Sequence, residues 1–156
     1  MLLGLKLAFL MRKISSNWKV VMMKALLVED DFLARKLMKK LLDNFGECDV
    51  AKDGLEALQA FKMAHENGSP YELICLDIML PGMNGDKVLQ EIRKYETELD
   101  IGGLDKSKVI MTTAKDDSRT IMKTFKKGCQ AYIVKPVDGE VFKKKVFELL
   151  RLNISL

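Results

Sequence analysis

The segment Leu73-Ile74-Cys75-Leu76-Asp77-Ile78-Met79-Leu80-Pro81-Gly82-Met83-Asn84-Gly85 decides the fold. Its first four residues form a short continuous apolar run, the pattern of a strand buried on both faces of a parallel sheet. The run stops at a carboxylate, Asp77, and a Pro81-Gly82 turn signal follows. Three runs of the same kind occur elsewhere, Ala25-Leu26-Leu27-Val28, Val109-Ile110-Met111 and Tyr132-Ile133-Val134, and Cys48 to Ala51 is a weaker fifth candidate.

The stretches between these runs change period. Ala34, Leu37, Met38, Leu41, Leu42 and Phe45 recur at three- and four-residue intervals, as do Ala57, Leu58, Phe61 and Ala64. Val88, Leu89 and Ile92, then Ile121, Met122 and Phe125, then Phe142, Val146, Leu149 and Leu150 complete five helical stripes, each read as a packing face. Five βα units in succession predict a doubly wound α/β fold: one five-stranded parallel sheet with helices on both faces, because right-handed crossovers must cover both sides. A closed eight-unit barrel needs a far longer chain.

Composition narrows the function. At 156 residues, 48% hydrophobic and 31% charged, the chain has the make-up of one globular domain, and its apolar runs are too short to span a membrane. The net charge of +4 is local: residues 1–22 hold Lys6, Arg12, Lys13 and Lys19 and no acid, so the rest has 22 of the 26 bases against all 22 acids. A charge-balanced body gives no reason to expect direct nucleic-acid binding. Cys48, Cys75 and Cys129 are odd in number with no C-x-x-C pair, which argues against a disulfide framework or zinc and for a reducing cytoplasm. In residues 1–22 the basic cluster follows the apolar run, the reverse of a secretory signal. They are expected to form an extension outside the domain, disordered or preceding a natural start at Met22 or Met23, with a short amphipathic membrane anchor as the alternative.

In an open parallel sheet the ligand site lies beyond the carboxyl ends of the strands. There the first run is followed by Glu29, Asp30 and Asp31, the third by Asp77, the fourth by Thr112 and Thr113, and the fifth by Lys135-Pro136. Clustered carboxylates repel one another unless a hard cation neutralises them, and oxygen ligands of this kind suit Mg2+. Lys135 and Thr113 offer a charge and a donor for phosphoryl oxygens. Asp77, alone at a central strand end, is the expected nucleophile, and the adjacent Glu29 and Asp30 suit the metal.

Val28-Glu29-Asp30-Asp31, Leu76-Asp77 through Gly85, Met111-Thr112-Thr113-Ala114 and Tyr132-Ile133-Val134-Lys135-Pro136 together resemble the receiver domain of two-component response regulators, particularly the stand-alone chemotaxis type. The resemblance covers about residues 23–151, with residues 23–152 taken as the receiver domain, and implies a flavodoxin-like sheet of order 2-1-3-4-5. It implies that Asp77 accepts phosphate from the phosphohistidine of a histidine kinase or phosphotransfer protein. It implies Mg2+ on Asp30, Asp77 and the Met79 carbonyl, with Glu29 helping through water. Thr113 and Lys135 would contact the phosphoryl oxygens, and Thr113 with Tyr132 would form the switch whose movement exposes a face to an unknown downstream protein. A cis Lys135-Pro136 bond is implied as well. The side chains of Met79 and Lys115 occupy places that govern water access to the phosphate, so its loss should be slow. Asn84 and Val137 depart from the usual Asp and Phe, at places that do not touch the phosphate.

Each residue also has a plainer reading. Glu29-Asp30-Asp31 is a good helix cap, Thr113 a strand-end hydroxyl, Lys135 a solvated lysine and Tyr132 a strand aromatic. His65 is expected to be exposed and structural, and Lys123, Lys126, Lys127 and Lys143 to Lys145 to be solvated helix faces. Glu96 to Lys108 reads as a long polar connection. A phosphohydrolase of the haloacid dehalogenase type is disfavoured because Met79 stands where its second carboxylate belongs, and an intermediate receiver of a phosphorelay remains an alternative. Nucleotide or flavin binding lacks a Gly-rich loop after the first strand. DNA binding is not expected, because the chain ends soon after the fifth helix.

Overall fold

The computed structural model describes residues 23–114 and 118–151. The extension expected at residues 1–22 and the Lys115 side chain therefore lie outside the described residues. Strands β1 (Met23–Val28), β2 (Gly46–Ala51), β3 (Leu73–Asp77), β4 (Lys108–Thr113) and β5 (Ala131–Val134) alternate with helices α1 (Phe32–Leu42), α2 (Gly54–Glu66), α3 (Gly85–Glu98), α4 (Ser118–Lys126) and α5 (Gly139–Arg151). All strands are parallel, in the order β2-β1-β3-β4-β5, the order that the resemblance implies. The Lys135-Pro136 bond is cis.

The two-residue period of the strands sorts the core into two layers. Ala25 and Leu27, Leu73 and Cys75, Ile110, and Ala131 and Ile133 face α1 and α5, where Met38, Leu42, Phe142 and Val146 close the layer. Leu26 and Val28, Ile74 and Leu76, and Val109 and Met111 face α2 and α3, where Phe61, Val88, Leu89 and Ile92 complete the other. Both sides of the central strands are thus dry, which is why their sequences lack alternation. The three cysteines are free and buried, and burial pushes the Cys48 and Cys129 thiols up to about 11, so they are inert at neutral pH.

Several helix-face expectations fail in detail. On α4, Met122 and Phe125 are 57% and 43% exposed, and Thr124 is the fully buried side chain. Its hydroxyl donates to the Thr120 carbonyl at 2.7 Å, which satisfies a polar group that would otherwise be costly to bury. Leu37 on α1 is also exposed. His65 is half-buried, its ring edge-on to Phe61 with centroids 4.7 Å apart and tilted against Tyr95. Burial lowers its pKa, with the charge of Glu96 pulling the other way. The polar connection starts at Leu99 instead of Glu96, which belongs to α3 and is wholly buried. Among the lysines, Lys127 is engaged with Asp86 at 3.2 Å and ties the end of α4 to the first turn of α3.

Candidate functional site

The carboxyl ends of β1, β3, β4 and β5 place Glu29, Asp77, Thr113 and Lys135 at one edge of the sheet. Glu29 and Thr113 are fully buried, Asp77 nearly so, Asp30 exposed and Lys135 half-buried. Backbone bonds hold these strand ends in register: the Glu29 amide donates to Ala51, Ile78 to Thr112 and Lys135 to Thr113. A buried carboxylate is tolerated only with partners. Lys135 Nζ supplies them, donating to Glu29 Oε2 at 2.5 Å and to Asp77 Oδ2 at 3.0 Å. The second Asp77 oxygen accepts the Met79 amide at 3.0 Å, and the second Glu29 oxygen accepts the Asp31 amide at 3.1 Å.

The ligand oxygens of Glu29, Asp30 and Asp77 all lie within 4.8 Å of one another. Three carboxylates against one ammonium leave two negative charges, the charge that a divalent cation balances, and the donor set is all oxygen. Burial raises the pKa of Glu29, a shift reinforced by Asp77 and opposed by the hydrogen bond from Lys135. Burial works against the ammonium of Lys135, but its bonds to Glu29 and Asp77 prevail and raise its pKa, so it remains charged. The edge can therefore hold a hard cation and an anionic oxygen side by side.

The two readings of Glu29-Asp30-Asp31 divide by residue. Asp31 is the cap, accepting the Ala34 amide at 2.7 Å, whereas Glu29 and Asp30 join the cluster. The Met79 side chain points outward and is largely exposed, and its amide holds Asp77. Tyr132 is half-buried against the α2/α3 core layer. Sequence reasoning missed Arg35. Its Nη1 lies 3.0 Å from both the Glu29 and the Asp30 carbonyl oxygens, and its guanidinium sits 5.7 Å from the Phe32 ring centroid. The available signal was a cation near a helix N-terminus, where the dipole disfavours one. Gly85, part of the Asp77 motif but given no role by the sequence, donates its amide to the Ile78 carbonyl at 2.8 Å, folding the loop back under Asp77.

These features define a receiver, and comparison with known proteins agrees. The family model "Response regulator receiver domain" matches residues 25–147, and the chain belongs to that family. It is 34% identical over 134 residues to the regulatory protein VanRB of Enterococcus faecalis, covering 85% of this chain and 54% of that protein. The receiver domain of Ssk1 in its co-crystal with the histidine phosphotransfer protein Ypd1 of Saccharomyces cerevisiae superposes with TM-score 0.75 at 23% identity, covering 86% of this chain and 93% of that one. The CheX-CheY-BeF3-Mg2+ complex from Borrelia burgdorferi gives TM-score 0.73 at 24% identity, covering 86% and 94%. The chain spans about half the length of the curated relatives it matches, several of which are named as transcriptional regulators, so its likeness to the chemotaxis type is one of fold. Receivers are signalling domains, and the phosphohydrolase reading is not favoured. No helix among the described residues is long and apolar enough to cross a membrane.

Proposed function

We propose that Asp77 is the phosphoacceptor, that its donor is the phosphohistidine of a histidine kinase or phosphotransfer protein, and that the phosphorylated form docks a downstream protein in the cytoplasm. The observation that carries this reading is the bridge of Lys135 between Asp77 and Glu29, beside Asp30. An Asp77 oxygen attacks phosphorus, the bond from phosphorus to the donor imidazole nitrogen breaks, and the imidazole leaves with the bonding pair. The ammonium of Lys135 moves from carboxylate to a phosphoryl oxygen, and the Thr113 hydroxyl donates to another. Glu29, Asp30, Asp77 and the Met79 carbonyl would hold Mg2+, which when bound offsets the crowded negative charge. Movement of Thr113 toward the phosphate, followed by Tyr132, shifts an existing equilibrium toward the form that a partner reads.

Residues 23–152 constitute the receiver domain in this reading, and residues 1–22 an extension. The charge balance beyond residue 22 supports output through a protein instead of direct contact between this domain and nucleic acid. Service as the intermediate receiver of a phosphorelay uses the same chemistry.

Incubation with a small acyl phosphate and Mg2+ is expected to add one phosphate mass. Asp77→Asn should abolish it, and chelating the metal should suppress it. Label that persists on another residue in Asp77→Asn would remove the assignment.

The exposed Met79 side chain offers no hydrogen bond to orient an attacking water and adds apolar bulk beside Asp77. Self-dephosphorylation is therefore expected to be slow. Met79→Asn with Lys115→Glu should speed phosphate loss by on the order of tenfold, equivalent to about 1.4 kcal/mol of barrier. Decay of the double variant at the parental rate would discard the water-access argument.

A further inference from the structure

We infer that Arg35 is a positioning residue for the cation site, holding the turn that carries Glu29 and Asp30 so that both carboxylates converge on Asp77; this rests on the functional reading above. Two of the three clustered carboxylates belong to consecutive residues on one turn between β1 and α1. Inside that turn the Asp31 amide is taken by the Glu29 side chain. The carbonyls of Glu29 and Asp30 both accept from the same Arg35 nitrogen at 3.0 Å. A single planar group from the first turn of α1 thus fixes two successive peptide units against the helix.

The sign of the charge isolates what Arg35 contributes. A guanidinium beside a cation site repels the cation, and one near a helix N-terminus opposes the dipole, so any help that Arg35 gives to cation binding runs against its charge. Its presence on those two carbonyls therefore acts through geometry. Asp30 is the exposed member of the cluster, and its backbone carbonyl is one of the two that Arg35 holds. Outer-shell groups that orient metal ligands commonly govern affinity by about 10- to 100-fold.

The test is calorimetric titration of the whole chain with MgCl2, after melting curves in chelator show that each variant is folded. Arg35→Met removes donors and charge together. It is expected to bind Mg2+ about tenfold more weakly, at the low end of that range because a repelling charge has also been lost. Equal or tighter binding would overturn the inference. If Arg35→Met does not fold, Arg35→Lys decides the matter. It keeps the charge with a shorter reach, so the positioning role expects a several-fold loss and unchanged affinity overturns it. Phosphorylation from the small acyl phosphate should return toward the parental rate at saturating Mg2+, because only occupancy is impaired. The parental protein is the separate control: if it binds no Mg2+, the functional reading fails, whereas parental binding with an unaltered Arg35 variant defeats the positioning role alone.

Discussion

Arg93→Met is expected to lower the melting temperature by on the order of 10 °C, from loss of about 3 kcal/mol of stability. Arg93 Nε and Nη2 donate to the Gly128 carbonyl at 3.0 and 2.8 Å, and Nη2 also reaches Ser107 O at 2.9 Å and Gln130 Oε1 at 3.1 Å. Nη1 pairs with Glu96, whose other oxygen accepts the Ser107 amide at 2.9 Å. One side chain thereby joins α3, the segment entering β4 and the turn between α4 and β5. Exposed ion pairs contribute little, but removing one partner of a buried pair strands the other, at a cost of about 3–5 kcal/mol. Glu96 is fully buried and Arg93 retains 13% side-chain exposure, so the lower end applies. Adding Glu96→Gln should return part of the loss, because a neutral amide is cheaper to bury without its cation. Thermal melts followed by circular dichroism provide the check. An Arg93→Met midpoint within about 2 °C of the parent, or a double variant no more stable than the single, would refute the account.

The same cluster marks where sequence reading stops. Continuous apolar runs disclosed the strands because both sheet faces are covered, so each strand advertises its burial without help from distant residues. The carboxylates, threonine and lysine of the site were legible for a related reason: topology alone sends them to one edge. Glu96 was not legible. A glutamate three residues after an arginine looks like a solvated helix pair, and only the tertiary approach of Ser107 and Gly128 makes that pair an interior one. Thr124 and Phe125 misled in the opposite sense. Apolar spacing suggested the inner face of α4, but with nine residues the helix buries a back-bonded hydroxyl and leaves an aromatic outside. Arg35 escaped because its partners are main-chain carbonyls, which leave no trace in side-chain patterns.

Gly85→Ala is expected to combine destabilisation with a loss of phosphorylation out of proportion to it. Gly85 opens α3 directly after the loop that leaves Asp77, with Asn84 as its cap. In an open helix position, alanine for glycine would stabilise by about 0.5–1 kcal/mol. Here a Cβ would fall 2.1 Å from the Asp77 carbonyl oxygen and 2.9 Å from Ile78 Cα. Both obstacles are backbone atoms, unable to swing aside as a flexible side chain does, so the helix start or the end of β3 must move. Overpacking of this kind costs about 1–3 kcal/mol or more, which exceeds the propensity gain. The displaced unit is the peptide that carries the proposed acceptor, whose carboxylate oxygens are set by the Met79 amide and by Lys135. A misplacement near 1 Å at a reacting group can cost about 100-fold in rate, far beyond what a small unfolded fraction explains. Phosphate incorporation from a small acyl phosphate with Mg2+ should therefore fall by on the order of tenfold or more at a temperature where circular dichroism shows the variant folded. A folded Gly85→Ala protein labelled at the parental rate would mean that the loop absorbs the methyl group without moving Asp77.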